Sequence, residues 1–120
     1  MAQTEYLAGM LRVLILSELS RGEGYGYGIA RALGQAGGES LEVRPESLYP
    51  VLHRMEQDGL CSARWDTAEN GRPRKLYLLT AKGKKHWDKL RPQFIKHTQA
   101  ALKAVGAPTV SGLLSPEPGR

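Results

Sequence analysis

The stretch Arg44–Leu60 constrains the fold more than any other part of the chain, because it has the pattern of one short helix with a buried side and a polar side. Leu48, Leu52 and Met55 recur at spacings of three and four residues, which places them on one buried stripe. The opposite side carries hydrogen-bonding side chains that a core does not need, namely Ser47, Tyr49, His53, Arg54 and Gln57. Such a polar face either meets water or binds another molecule.

The ends of this predicted helix are marked by proline and glycine. Pro45 suits the first helical position, because its φ angle is already fixed and its missing N–H has no helical partner there. Gly59 suits a left-handed C-terminal cap, after which Leu60 can fold back toward the core. Pro50 falls inside the helix and removes the donor for the carbonyl of Glu46, which favours a bend within the polar face.

A β-hairpin is predicted directly after this helix. Apolar residues alternate with other residues in two runs, at Cys61, Ala63 and Trp65 and again at Leu76 and Leu78. Asn70-Gly71 between two alternating runs is a strong hairpin signal, and we interpret Trp65 as a residue that packs within the hairpin. The tip is basic, with Arg72, Arg74 and Lys75. These cations either contact phosphate groups or are loop residues that meet water.

The region before Arg44 predicts two helices. The first ends at residues 20–22 and is apolar on more than one side, at Leu7, Met10, Leu11, Val13, Leu14, Ile15, Leu16 and Leu19. Such a helix must be covered on more than one side, and a helix from a second chain is one way to cover it. The second helix spans about Tyr25–Gln35, with Ile29 and Leu33 facing inward, and Leu41–Val43 is at most a short strand. The glycines at 22–28 predict a tight connection, since they fit no phosphate-binding pattern.

A last helix is predicted from about Ala81 to Val105, capped by Thr80 and interrupted by Pro92. One stripe of it is apolar, at Trp87, Leu90, Phe94, Ala101 and Val105, and we interpret this stripe as a dimer surface. Its aromatic residues could instead hold a planar ligand at the dimer seam. Residues 106–120 have no periodicity and predict a disordered tail. The predicted domains are therefore 1–80 for binding, 81–105 for dimerisation and the tail.

Charge is distributed unevenly along the 120 residues, which suffice for one domain or one domain plus an arm. Residues 1–60 hold five Lys and Arg against eight Asp and Glu, whereas residues 61–120 hold twelve against four. A basic cluster favours a polyanion such as nucleic acid, although a Lys-rich helix face in water has the same composition. No apolar run is long enough to predict a membrane span. Cys61 is the single cysteine and cannot form a disulfide within the chain, which fits a reducing cytoplasm. No metal site, cofactor site or catalytic set is predicted.

The order of helix, helix, short strand, helix and hairpin is that of a winged helix-turn-helix. At this point the chain resembles the PadR-like transcriptional regulators, of the short type with a single C-terminal helix. The stretches that carry the resemblance are Tyr25–Ile29, Ser47–Pro50, Arg54–Glu56, Asp58–Leu60, Gly71–Lys75 and Tyr77–Thr80. The resemblance implies a homodimer built by the N-terminal and C-terminal helices, which binds palindromic operators and in some members is released by small aromatic compounds.

The sequence therefore predicts a mainly α chain with a small β-hairpin, which acts as a sequence-specific, cytoplasmic regulator, and a repressor is favoured over an activator. The expected DNA contacts are Ser47, Tyr49, Pro50, His53, Arg54, Arg72, Arg74 and Lys75. The expected dimer interface or effector pocket holds Leu7, Leu11, Leu14, Trp87, Leu90, Phe94 and Ala101. Two alternatives are a protein-interaction module on the same scaffold and a ligand-binding dimer without a role in gene control.

Overall fold

The fold is seen in a computed structural model that describes residues 2–108, and it describes the side chains of all of these except residues 2–9, 39 and 40. The elements in chain order are α1 (Ala2–Arg21), β1 (Gly24–Tyr25), α2 (Gly26–Gly37), a short 3-10 helix (Gly38–Leu41), α3 (Pro45–Gln57), β2 (Cys61–Thr67), β3 (Pro73–Leu79) and α4 (Ala81–Ala104). The chain divides into two units, Met1–Asp88 and Lys89–Arg120, and the boundary falls inside α4. The mainly helical fold with a small hairpin is confirmed.

The core of the first unit lies where α1, α2 and α3 meet the hairpin. In α1, Ile15 and Leu16 are completely buried, and Leu11 is also buried within the single chain. Because α1 packs against α2, α3 and β3, its wide apolar surface is covered on several sides by the chain itself. Ile29 and Leu33 of α2 face inward as predicted, and α3 contributes its predicted stripe of Leu48, Leu52 and Met55.

Helix α3 begins and ends where its sequence predicts. Pro45 is its first residue, and the helix continues without a break through Pro50. At the C-terminal end, Gly59 has a left-handed φ of 79°, and its N–H donates to the carbonyl of Glu56 at 3.0 Å. The N–H of Leu60 then donates to the carbonyl of Met55 at 2.9 Å, so the two bonds together satisfy the end of the helix.

The sheet has three antiparallel strands in the order β1-β3-β2. Strand β1 was not predicted, because two residues of a glycine-rich segment carry no alternation. It pairs Tyr25 with Leu76 of β3. The predicted short strand at Leu41–Val43 is wrong: the chain forms a 3-10 helix that ends at Leu41, and residues 42–44 are irregular.

The hairpin of β2 and β3 turns at residues 68–72. The N–H of Gly71 donates to the carbonyl of Ala68 at 2.9 Å, and Gly71 has a φ of 84°, which glycine adopts without strain. Asn70 accepts the N–H of Arg72 through its side chain at 3.0 Å. The prediction that Trp65 packs within the hairpin is wrong, because β2 extends past the edge of the core and leaves this side chain 68% exposed.

The start of α4 is fastened to the end of α3. Thr80 caps the helix as predicted, since its Oγ1 accepts the N–H of Gly83 at 2.9 Å and donates to the carbonyl of Gly59 at 2.6 Å. Lys82 donates to the carbonyl of Asp58 at 2.8 Å. Gly83 is buried so closely against Leu60 that a Cβ there would lie 2.0 Å from the Leu60 carbonyl oxygen.

The second unit consists of the remainder of α4 and the residues that follow it. The helix runs through Pro92 to Ala104, close to the predicted end at Val105. It ends in a second glycine cap: Gly106 has a φ of 84°, and the N–H of Ala107 donates to the carbonyl of Leu102 at 2.9 Å. Residues 109–120, which form most of the predicted disordered tail, lie outside the described residues.

Candidate nucleic-acid interface

The polar face predicted for α3 is open to solvent. Tyr49 is 47% exposed, and Pro50, His53 and Arg54 are also exposed, whereas Ser47 is half-buried. Helical spacing places Pro50 and His53 near the middle of this face, with Ser47 and Arg54 along one margin and Tyr49 along the other. The structure thus brings all five predicted α3 residues onto one surface.

Tyr49 has one side against the protein. A Cβ built at Gly26, the first residue of α2, would lie 2.4 Å from Cε1 of the Tyr49 ring. The ring therefore lies against the start of α2 at a place where only glycine leaves room. The same side chain thus covers the edge of the core and remains available to a partner.

Arg54 lies at the opposite margin of the face and is tied to the end of α3. Its Nε is 3.4 Å from Oδ1 of Asp58, yet the side chain remains 71% exposed. Asp58 also accepts a hydrogen bond from Arg12 of α1 at 2.9 Å. This bond from Arg12 is the main reason that the pKa of Asp58 is lowered, and Arg54 lowers it further. Asp58 thus joins α1 to the C-terminal end of α3.

The basic residues of the hairpin do not form one cluster. Arg74 and Lys75 are neighbours on β3, so their side chains point to opposite faces of the sheet. On the outer face, the guanidinium of Arg74 lies 4.0 Å from the centre of the Tyr25 ring and 3.8 Å from Asp66. Tyr25 donates its hydroxyl hydrogen to Asp66 at 2.7 Å, and this bond lowers the pKa of Asp66 and raises that of Tyr25.

Lys75 lies on the other face, toward α3. Its Nζ donates to Oε1 of Glu56 at 3.1 Å, and this bond raises the pKa of Lys75. The same Nζ lies 5.9 Å from the centre of the Trp65 ring and 5.6 Å from that of Tyr77, within the range of cation–π attraction. Only 28% of the Lys75 side chain is exposed, which makes it the most enclosed of the predicted contacts on the hairpin.

Arg72, at the tip of the hairpin, differs from Arg74 and Lys75 in its partners. It is exposed within the turn, and no salt bridge joins it to a carboxylate among the residues described. The sequence alone groups Arg72 with Arg74 and Lys75, and it does not place Tyr25, Glu56 or Trp65 in the site. The period of two along a strand is the signal that would have separated the two faces.

Two other kinds of site, a membrane span and a metal site, are not found in the described part of the chain. No helix there is long and apolar enough to cross a membrane. Nor do three or more metal-ligating side chains come together within it. A shallow cavity of about 260 Å³ lies beside α2 and the start of α3, lined by Tyr27, Ala30, Arg31, Gly34, Glu42, Val43 and Pro45. None of the residues predicted for an effector lines this cavity.

Three helices followed by a hairpin, with a short third strand beside it, define a winged helix-turn-helix, in which α3 has the position of the recognition helix and the β2–β3 hairpin is the wing. The sequence profile of the transcriptional regulator PadR-like family matches residues 15–89. The chain belongs to this family of transcriptional regulators, which is not a family of enzymes.

Individual relatives agree with this assignment. The transcriptional regulator Rv3488 of Mycobacterium tuberculosis is 32% identical over 80 residues, which cover 67% of this chain and 71% of that protein. The crystal structure of a PadR family regulator from Eggerthella lenta is similar with a TM-score of 0.70 and 29% identity, over 87% of this chain and 88% of that one. The structure of Bacillus subtilis PadR in complex with operator DNA is similar with a TM-score of 0.63 and 26% identity, over 68% of this chain and 46% of that one.

Proposed function

We propose that this chain regulates transcription by binding double-stranded operator DNA in a sequence-specific manner, with α3 in the major groove. The observation that carries the proposal is the exposed polar face of α3, together with an exposed cation at the tip of the wing, Arg72, that no salt bridge joins to a carboxylate in the described part of the chain. The likeness to Bacillus subtilis PadR, which was solved with operator DNA, supports this arrangement. An α-helix fits the major groove, where each base pair presents a distinct pattern of donors, acceptors and methyl groups.

The proposed contacts divide into two kinds. Ser47, Tyr49, His53 and Arg54 supply donors and acceptors toward base edges, and Pro50 lies among them where the helix approaches the groove most closely. Arg72 binds phosphate groups at the wing tip, which positions the protein without reading sequence. Arg74 and Lys75 already have carboxylate partners, so each contributes less to affinity than Arg72 does.

We further propose a homodimer that acts in the cytoplasm as a repressor of palindromic operators. Two copies of α3 would enter successive major grooves, roughly 34 Å apart. Leu14 and Trp87 in the first unit, and Leu90 and Phe94 in the second, are apolar residues that their own chain leaves half-buried, as an interface residue should be. Ala101 is exposed and Leu11 belongs to the core, while the Leu7 side chain lies outside the described residues.

The dimer is tested by measuring molar mass in solution, with Phe94→Asp as the variant and Gln93→Asp as its neighbouring control. A charge at a buried interface position is costly, so the Phe94→Asp protein should dissociate while the control remains a dimer. A monomeric wild-type chain across the concentrations used for DNA binding would contradict the proposal.

An effector, in this proposal, is a small aromatic compound that binds beside Trp87 or Phe94 and weakens operator binding. It can act only if it binds the DNA-bound and released forms of the dimer unequally. Titration of the protein–operator complex with small aromatic compounds tests this. An operator affinity that no compound changes would remove the effector from the mechanism.

DNA binding itself is tested with duplexes that tile the DNA upstream of the chain's own gene, measured by fluorescence anisotropy over a range of salt concentrations. Affinity should fall steeply with salt, and Arg72→Ala should lower the slope of log affinity against log salt by about one. Arg21→Ala removes another exposed arginine, at the end of α1, and should leave the slope unchanged. If no duplex binds, a protein-interaction module on this scaffold becomes the better account, and the acidic balance of residues 1–60 favours that alternative.

A further inference from the structure

The side of the wing that faces α3 carries residues that the DNA contacts proposed above do not explain. Cross-strand pairing places Trp65 opposite Lys75 and Ala63 opposite Tyr77, so these four side chains share one face of the sheet. We call them the inner wing face. Ala63 and Tyr77 lie at its core end, where Tyr77 is buried, whereas Trp65 lies nearer the tip.

Trp65 differs from Tyr77 on this face because most of its side chain is open to solvent. Its side chain is 68% exposed, and it is one of two tryptophans in the protein. Tryptophan is among the residues enriched where the binding energy of an interface is concentrated. A cation, Lys75, lies 5.9 Å from its ring, so the exposed indole and a positive charge form one patch.

The inner wing face lies on the side of the hairpin that faces α3. Lys75 spans the space between them, since its Nζ reaches Glu56 of α3 at 3.1 Å. When a helix occupies the major groove and a wing reaches the adjacent minor groove, one strand of the duplex separates the two grooves. In that arrangement the strand would pass between α3 and the wing, in the space that Lys75 and Trp65 border.

We propose that Trp65 packs flat against the deoxyribose groups of this strand while Lys75 shares its charge between Glu56 and a neighbouring phosphate. The inference rests on the proposed function and adds to it a contact that α3 and the wing tip do not supply. The occupant is a sugar–phosphate strand because the patch joins an apolar plane to a cation, and a nucleic-acid backbone alternates apolar sugars with anionic phosphates. Such a contact holds the wing in register and reads no base.

The Trp65 contact has a signature that separates it from the phosphate contact of Arg72. The indole of Trp65 is uncharged, so its removal does not change the number of cations that contact phosphate. Trp65→Ala should therefore lower the affinity by about tenfold and leave the slope of log affinity against log salt unchanged. Trp65→Phe should retain part of the affinity, because a smaller aromatic ring still covers the sugar. Arg72→Ala, in contrast, should lower both the affinity and the slope.

The test uses the full chain and the tightest-binding duplex from the upstream DNA, with a mixed-sequence duplex beside it. Arg64→Gln is the matched control, because Arg64 is the neighbour of Trp65 on β2 but points to the outer face, where it pairs with Glu23. Because Trp65→Phe keeps Trp87, the fluorescence that Trp65 contributes is the difference between wild type and this variant, and it should change when either duplex binds.

The outcomes separate this inference from the proposed function. If Trp65→Ala, shown to be folded by its circular dichroism, binds both duplexes within about twofold of wild type while Arg72→Ala binds weakly, DNA binding stands and the inner wing face is not part of it. Unchanged Trp65 fluorescence on binding overturns the inference in the same way. If wild type binds no duplex, the proposed function is wrong, and the inference that rests on it is wrong as well.

Discussion

Gly83→Ala should destabilise this protein, although alanine is the better helix former. Ala would place a Cβ 2.0 Å from the carbonyl oxygen of Leu60 and 3.0 Å from a methyl carbon of Leu79. A carbon normally approaches a carbonyl oxygen to about 3.3 Å, so the start of α4 must retreat by more than about 1 Å. That movement pulls Gly83 away from its cap, where its N–H donates to Thr80 at 2.9 Å.

The magnitude follows from three contributions. Overpacking costs about 1–3 kcal/mol, and a weakened cap costs about 1 kcal/mol more. The higher helix propensity of alanine offsets roughly 1 kcal/mol of these two costs. The free energy of unfolding should therefore fall by about 2 kcal/mol, which lowers the Tm of a domain of this size by roughly 10 °C.

Urea and thermal unfolding, followed by circular dichroism, measure this change. The matched control is Gly34→Ala, which makes the same substitution inside α2 where a Cβ would have no neighbour within 4 Å. That variant should be more stable than wild type by about 0.5–1 kcal/mol, because alanine restricts the unfolded chain. If the Gly83→Ala protein is as stable as the Gly34→Ala protein, the close approach of α4 to Leu60 does not constrain the fold.

Three further predictions address other parts of the structure. Gly26→Ala should displace the Tyr49 ring and weaken operator binding by about tenfold, whereas Gly28→Ala, with open space around it, should change the affinity by less than about twofold in the same anisotropy assay. Because its arginine partners lower the pKa of Asp58 in the folded chain, they stabilise the protein above the usual Asp pKa of 3.8, and this contribution is lost as the pH falls through the lowered value. Urea unfolding between about pH 5 and pH 3 should accordingly show a smaller loss of stability for Asp58→Asn than for wild type. Burial raises the pKa of the Cys61 thiol to about 11, so iodoacetamide at neutral pH should alkylate it only after unfolding, and rapid modification of the native protein would contradict this.

The sequence determines α3 closely, because its start, its end and its buried stripe each have a local physical cause. Pro45 and Gly59 act through their own backbone angles, and neither needs a distant partner to take effect. The same holds for Thr80, which caps α4 through its own side chain. Elements of this kind were predicted within a few residues.

Features that depend on contacts between residues far apart in the chain could not be predicted from the sequence. Strand β1 is two residues long and exists because it pairs with β3, some fifty residues later in the chain. The exposure of Trp65 depends on how far β2 extends past the core, which alternation alone does not determine. The Glu56–Lys75 ion pair likewise depends on the approach of the wing to α3.

The turn at the tip of the wing also bears on the chemical lifetime of the protein. Asn70 is the only asparagine in the chain, and an asparagine followed by glycine is prone to deamidation, in which the next backbone nitrogen attacks the side-chain amide. Here the N–H of Gly71 is donated to Ala68 and the amide oxygen of Asn70 is held by Arg72, so both reacting groups are engaged while the hairpin is folded. Unfolding would release them, and deamidation would then place a new carboxylate beside Arg72. In a stored sample, Asn70 at the tip of the wing would therefore deamidate at a rate set by how often the hairpin opens.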